Sequence, residues 1–131
     1  MELSKAPKVS ITRRKKSRAF AKPPYQSKEH FDACQDGLVN ALSKNREHLI
    51  LAGCEAHVCV MQTALELLRQ GFKVSILVDA IGSRRPLDRD IALHRLGSSG
   101  VFLLTVEMLA FESLETAKND SFKAGLEIIK S

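Results

Sequence analysis

A chain of 131 residues, 44% hydrophobic and 27% charged, has the composition of one ordinary globular domain and is long enough for one real core. No apolar run approaches the roughly 20 residues of a membrane span, and no apolar signal-peptide core follows Met1. The net charge of +5 belongs to one end: residues 1–28 hold nine Lys or Arg against Glu2 alone, while the remainder holds eleven basic and fourteen acidic residues.

Residues 1–19 read as a basic arm centred on Arg13-Arg14-Lys15-Lys16, followed by one domain over 20–131. Such a run can touch nucleic acid or an anionic surface. No aromatic interleaving or known binding fold accompanies it, so a solvated arm is expected and a nucleic-acid partner is not. Ser17 to Ala21 suits a short strand, and Pro23-Pro24 forces an extended turn. Apolar spacing predicts a helix over 30–43 and a buried strand over 48–52. A helix follows over 56–70, stopped by Gly71, and then a strand over 72–78 that ends in Asp79-Ala80. A loop over 82–86 leads to a helix over 87–98, capped near Leu87-Asp88 with Ile91, Ala92 and Leu96 inward. A strand over 100–105 and helices over 107–114 and 122–129 complete the chain. Strands alternating with single helices predict an α/β fold with a parallel sheet and helices on both faces. Ligands of such sheets bind beyond the carboxyl ends of the strands, here just after Leu51, Val78 and Leu104.

The segment Gly53-Cys54-Glu55-Ala56-His57-Val58-Cys59 follows a strand and opens a helix. A cysteine in a first helical turn faces unpaired N–H groups and the positive end of the dipole, which favour the thiolate and can hold an oxyanion. A nucleophile needs that setting. From the residues alone, Cys59 as a small buried hydrophobe stands as the equal alternative. Cys34, Cys54 and Cys59 form neither a zinc pattern nor an even disulfide set, so reduced thiols and a cytoplasmic location are expected. His48, His57 and His94 lack metal-ligand spacing, and no metal is expected. Asp79 is expected to cap the turn at Gly82-Ser83.

The stretch Leu51 to Leu65 resembles the nucleophile segment of the isochorismatase-like cysteine hydrolases. Val74 to Ala80, Ser83-Arg84, Asp88-Arg89, Ala92-Leu93 and Arg95-Leu96 resemble the next strand, loop and helix of that family, and Thr105 to Met108 with Phe111-Glu112 its last strand-to-helix junction. The likeness runs from Phe20 to Leu114. It implies a Rossmann-like three-layer α/β/α fold with a mostly parallel sheet, N-terminally truncated, and hydrolysis of a small amide or related acyl compound through an acyl-enzyme on Cys59. By resemblance Lys22 is the catalytic lysine, with Lys15 and Lys16 as weaker candidates, and a cis peptide joins Cys54 to Glu55. That bond would aim the amides of Ala56 and Cys59 at the substrate oxygen, with His57 lining the pocket or capping the turn. The family's aspartate, which takes the thiol proton, sits on a first strand for which nothing before Lys22 is a match; residues 1–31 contain no Asp. The alternative is therefore a non-catalytic product or interaction protein that keeps the second half of the fold. The resemblance further implies a small-molecule substrate, no cofactor, and a homo-oligomer with Ser83-Arg84-Arg85 and Asp88-Arg89 at a subunit contact.

Overall fold

The structure, a computed structural model, describes residues 29–42 and 44–131; the strand expected over 17–21 lies outside them. The chain enters through a short helix, α1 (Leu38–Ala41), and then two apolar runs set the sheet. Leu49-Ile50-Leu51 lies in β1 (His48–Cys54) and Val74-Ser75-Ile76 in β2 (Lys73–Gly82). The strands pair in parallel, Leu49 opposite Val74 and Leu51 opposite Ile76. The third strand, β3 (Phe102–Leu104), joins the far side of β2, giving the order β1-β2-β3 with every pair parallel. Parallel neighbours need long crossovers. A π-helical turn (Ala56–Val60) running into α2 (Met61–Arg69) makes the first, and α3 (Pro86–Ser98) the second. Helices α4 (Val106–Leu114) and α5 (Phe122–Lys130) follow β3. The result is a three-layer α/β architecture built round a parallel sheet.

Leu49, Leu51, Val74 and Ile76 meet Val60, Ala64 and Leu67 from the first crossover, with Leu96 and Val101 closing the second. All are buried, and each large side chain withdrawn from water stabilises the fold by about 1.5–3 kcal/mol. The crossovers end alike. Gly71 and Gly100 adopt φ of 93° and 99°, conformations that cost glycine little. Phe72 N–H then donates to the Leu67 carbonyl and Val101 N–H to the Leu96 carbonyl, the bonds that close a left-handed helix stop.

The structure corrects five sequence expectations. The helix expected over 30–43 is a set of turns and only four helical residues, because local bonds break it. Asp32 Oδ1 takes the Cys34 N–H, His30 holds the Asp36 carboxylate, and Gly37 at φ 90° redirects the chain before α1. Helix α3 begins at Pro86 with Arg85 as its cap, one residue before the expected start. It buries Ala92 and Leu96 but leaves Ile91 60% exposed, beside Leu87 at 65%. Strand β2 runs four residues past Val78, because the register passes from Leu51–Ile76 to Gly53–Ile81 through a bulge. The bulge contains Asp79, whose Oδ1 accepts the Val106 N–H at 2.9 Å. Asp79 therefore caps α4, together with Thr105 Oγ1 on the Met108 N–H, and not the turn at Gly82-Ser83.

Candidate active site

Strands β1 and β2 finish side by side, Cys54 opposite Gly82. Parallel pairing then brings together whatever follows each strand. After β1 the backbone turns abruptly: Gly53 has φ 119° and the Cys54–Glu55 peptide bond is cis. The chain winds next into the π-helical turn, in which Val60 N–H reaches the Glu55 carbonyl and Met61 N–H the Ala56 carbonyl, each five residues back. Turns of this kind occur mostly as single insertions in α-helices and often at functional sites. Cys59 lies on this turn as a half-buried free thiol. First-turn amides, that of Ala56 among them, have no acceptor earlier in the helix and form the positive end of its dipole.

Around the turn, three charged or polar side chains converge on His57. Its Nδ1 shares a hydrogen bond of 2.8 Å with Ser83 Oγ, directly after the end of β2. Glu55 Oε2 lies 3.6 Å from the same nitrogen, and Asp88 Oδ2 lies 3.8 Å from Nε2. Arg84 Nε sits 3.2 Å from Glu55 Oε1, and Arg85 Nε 2.8 Å from Asp88 Oδ2. The Arg85 guanidinium holds the Asp88 carboxyl below its ordinary range. Arg89 donates to the Val78 carbonyl and fastens α3 to the bulge of β2. The Ser83-Arg84-Arg85 and Asp88-Arg89 groups expected at a subunit contact are thus engaged within the chain.

The structure brings Cys54, Glu55, Ala56, His57 and Cys59 together at the carboxyl edge of the sheet. Lys22, like Lys15 and Lys16, lies outside the described residues. Ser83 as the partner of His57 and Arg84 as the partner of Glu55 went unread in the sequence. The signal for both is the register: once Cys54 pairs with Gly82, the residues just beyond must adjoin. Cys54 is exposed at that junction, where a Cβ on Gly82 would come 3.7 Å from its Sγ. Cys34 stands apart, in an open depression lined by Asp32, Gln35, Glu66 and Gln70 that includes neither Cys59 nor His57. Burial, followed by the Asp32 carboxylate, pushes the Cys34 thiol up to about 12. Among the described residues no group of three or more His, Cys, Asp or Glu is arranged to hold a metal, and no helix is long and apolar enough to cross a membrane.

Comparison with known proteins places this geometry. The isochorismatase domain family matches residues 13–108. "Isochorismatase family protein 1A" of Dictyostelium discoideum is 40% identical over 96 residues, 71% of this chain and 47% of that protein. "Isochorismatase domain-containing protein 2" of Bos taurus is 43% identical over 82 residues, 63% of this chain and 40% of that protein. The chain spans about half the length, or less, of these curated relatives. Among solved structures, the MAR1 ribonuclease of Caenorhabditis elegans superposes with a TM-score of 0.73 at 34% identity, covering 79% of this chain and 54% of that one. The YcaC gene product of Escherichia coli, described as an octameric hydrolase of unknown specificity, superposes with a TM-score of 0.69 at 31% identity, covering 76% of this chain and 49% of that one. With its parallel sheet, its Cys54–Glu55 turn and a family match over most of its length, the chain belongs to the isochorismatase family.

Proposed function

We propose that this protein is a cysteine-dependent hydrolase of a small amide or related acyl compound, with Cys59 as nucleophile. One observation carries the reading: Cys59 stands on the helical turn that opens directly after the carboxyl end of β1, where parallel sheets place ligands. The Cys59 thiolate attacks the substrate carbonyl, the C–S bond forms as the C–N bond breaks, and the thiol proton ends on the departing amine. Water then cleaves the thioester and returns the thiol. Amides of the first turn, that of Ala56 in particular, stabilise the oxyanion. Lys22 is assigned as the second catalytic group on the family resemblance alone. No cofactor enters the reaction. Three free thiols suit a reducing cytoplasm, and the octameric E. coli relative supports a homo-oligomer.

The alternative is a non-catalytic interaction protein on the same fold. A panel of primary amides and carbamoyl compounds, with an RNA oligonucleotide beside them, separates the two. The hydrolase reading expects release of amine or ammonia from at least one small compound, lost in Cys59→Ala, with the RNA left intact. Turnover that survives Cys59→Ala defeats it, and so does an inert panel.

A further inference from the structure

Two residues apart on a helical turn, side chains point to opposite sides. His57 and Cys59 are so related, and the His57 ring is engaged on its own side. It bonds Ser83 Oγ at 2.8 Å and stands between the Glu55 and Asp88 carboxylates. Those partners come from three places: the cis junction, the end of β2 and the first turn of α3. Glu55 Oε2 is buried and makes no hydrogen bond, and the imidazole Nδ1 lies 3.6 Å from it. The ring joins the five-residue turn to Ser83, just beyond the end of the neighbouring strand.

We infer that His57 is a positioning residue: by bonding Ser83 it latches the turn that carries Cys59 to the end of β2, fixing the direction of the thiol. This deepens the proposed function and rests on Cys59 being the nucleophile. It gives His57 a task other than contact with substrate. A displaced nucleophile loses rate steeply, by as much as about a hundredfold for a shift of about 1 Å.

The test is the second-order rate of Cys59 alkylation by iodoacetamide, read by peptide mass in the full chain. His57→Ala and Ser83→Ala should each slow Cys59 about tenfold or more, and the double variant should be no slower than either single one. His57→Asn, which keeps a hydrogen-bonding atom near the position of Nδ1, should recover most of the rate. Cys34 reports on the fold in the same digest, because its part-buried thiol, beside Asp32, reacts slowly in the folded chain. A His57→Ala protein with Cys34 as slow as in the wild type and wild-type Cys59 kinetics overturns the latch, as does a His57→Asn variant as slow as the alanine. If His57→Ala loosens the fold and exposes Cys34, the milder Ser83→Ala decides by the same criterion. A wild-type Cys59 no more reactive than Cys54 defeats the nucleophile assignment and the latch together, whereas reactive Cys59 insensitive to both variants defeats the latch alone.

Discussion

At pH 8 the three cysteines should separate widely in their reaction with an aromatic disulfide, and Cys34 should be the slowest. Burial and Asp32 hold its thiol up to about 12, so roughly one molecule in 10⁴ carries the thiolate at pH 8. An unperturbed thiol near 8.5 is about one-quarter ionised at that pH, an advantage of about 2,000-fold. A more basic thiolate is also a better nucleophile. With a Brønsted coefficient of about 0.4–0.5, the gap of about 3.5 pK units returns roughly 25- to 55-fold. The balance leaves Cys34 roughly 40- to 100-fold slower than an exposed unperturbed cysteine, before any steric shielding. The raised value also sets a sign for stability. Well below about pH 8.5 the thiol is neutral whether folded or not; from there to about 12 the unfolded chain ionises first, and stability falls. The assay is a timed reaction at pH 8, acid quench and peptide mapping, repeated in denaturant to remove the protection. Cys34 modified in the folded protein as fast as Cys54 would rule out protection by burial and Asp32.

Leu67→Ala, at a fully buried position on α2, should destabilise the domain by about 2–5 kcal/mol, read from the urea midpoint. Thr105→Ala removes the side-chain acceptor of the Met108 N–H at the start of α4 and should cost about 1 kcal/mol, with Thr105→Ser restoring most of it. His30 should titrate above 6.5 by NMR because its ring is hydrogen-bonded to Asp36, and Asp36→Asn should return it to the ordinary value. The pair should persist from the lowered Asp36 value up to the raised His30 value: its contribution fades as pH falls through the first and as pH rises through the second.

Most of the sheet was legible because buried parallel strands are short apolar runs closed by helix-stopping glycines. Leu49 to Leu51 and Val74 to Ile76 announced themselves, and Gly71 ended α2 as expected. Helical spacing misled where side chains offered the backbone a local alternative. Asp32 and Asp36 capture nearby N–H groups, and the apolar spacing of Phe31, Cys34 and Leu38 then carries no continuous helix. Ile91 looked inward by composition, yet the face of α3 that packs is the row through Ala92 and Leu96. In the site, the thiol turn was readable as a strand-to-helix motif, and the cis bond was placed by family resemblance. The partners of His57 were not readable, since Ser83 and Asp88 come near only through strand register and crossover geometry.

The most direct test of Cys59 as nucleophile is acylation by an activated ester such as p-nitrophenyl acetate, which needs no help for its leaving group. A burst of nitrophenolate close to one per chain is expected, with the acetyl mass on the peptide carrying Cys59 after acid quench and no burst in Cys59→Ala. A burst that persists in that variant, or an acetyl group found on Cys54 or Cys34 instead, would contradict the assignment.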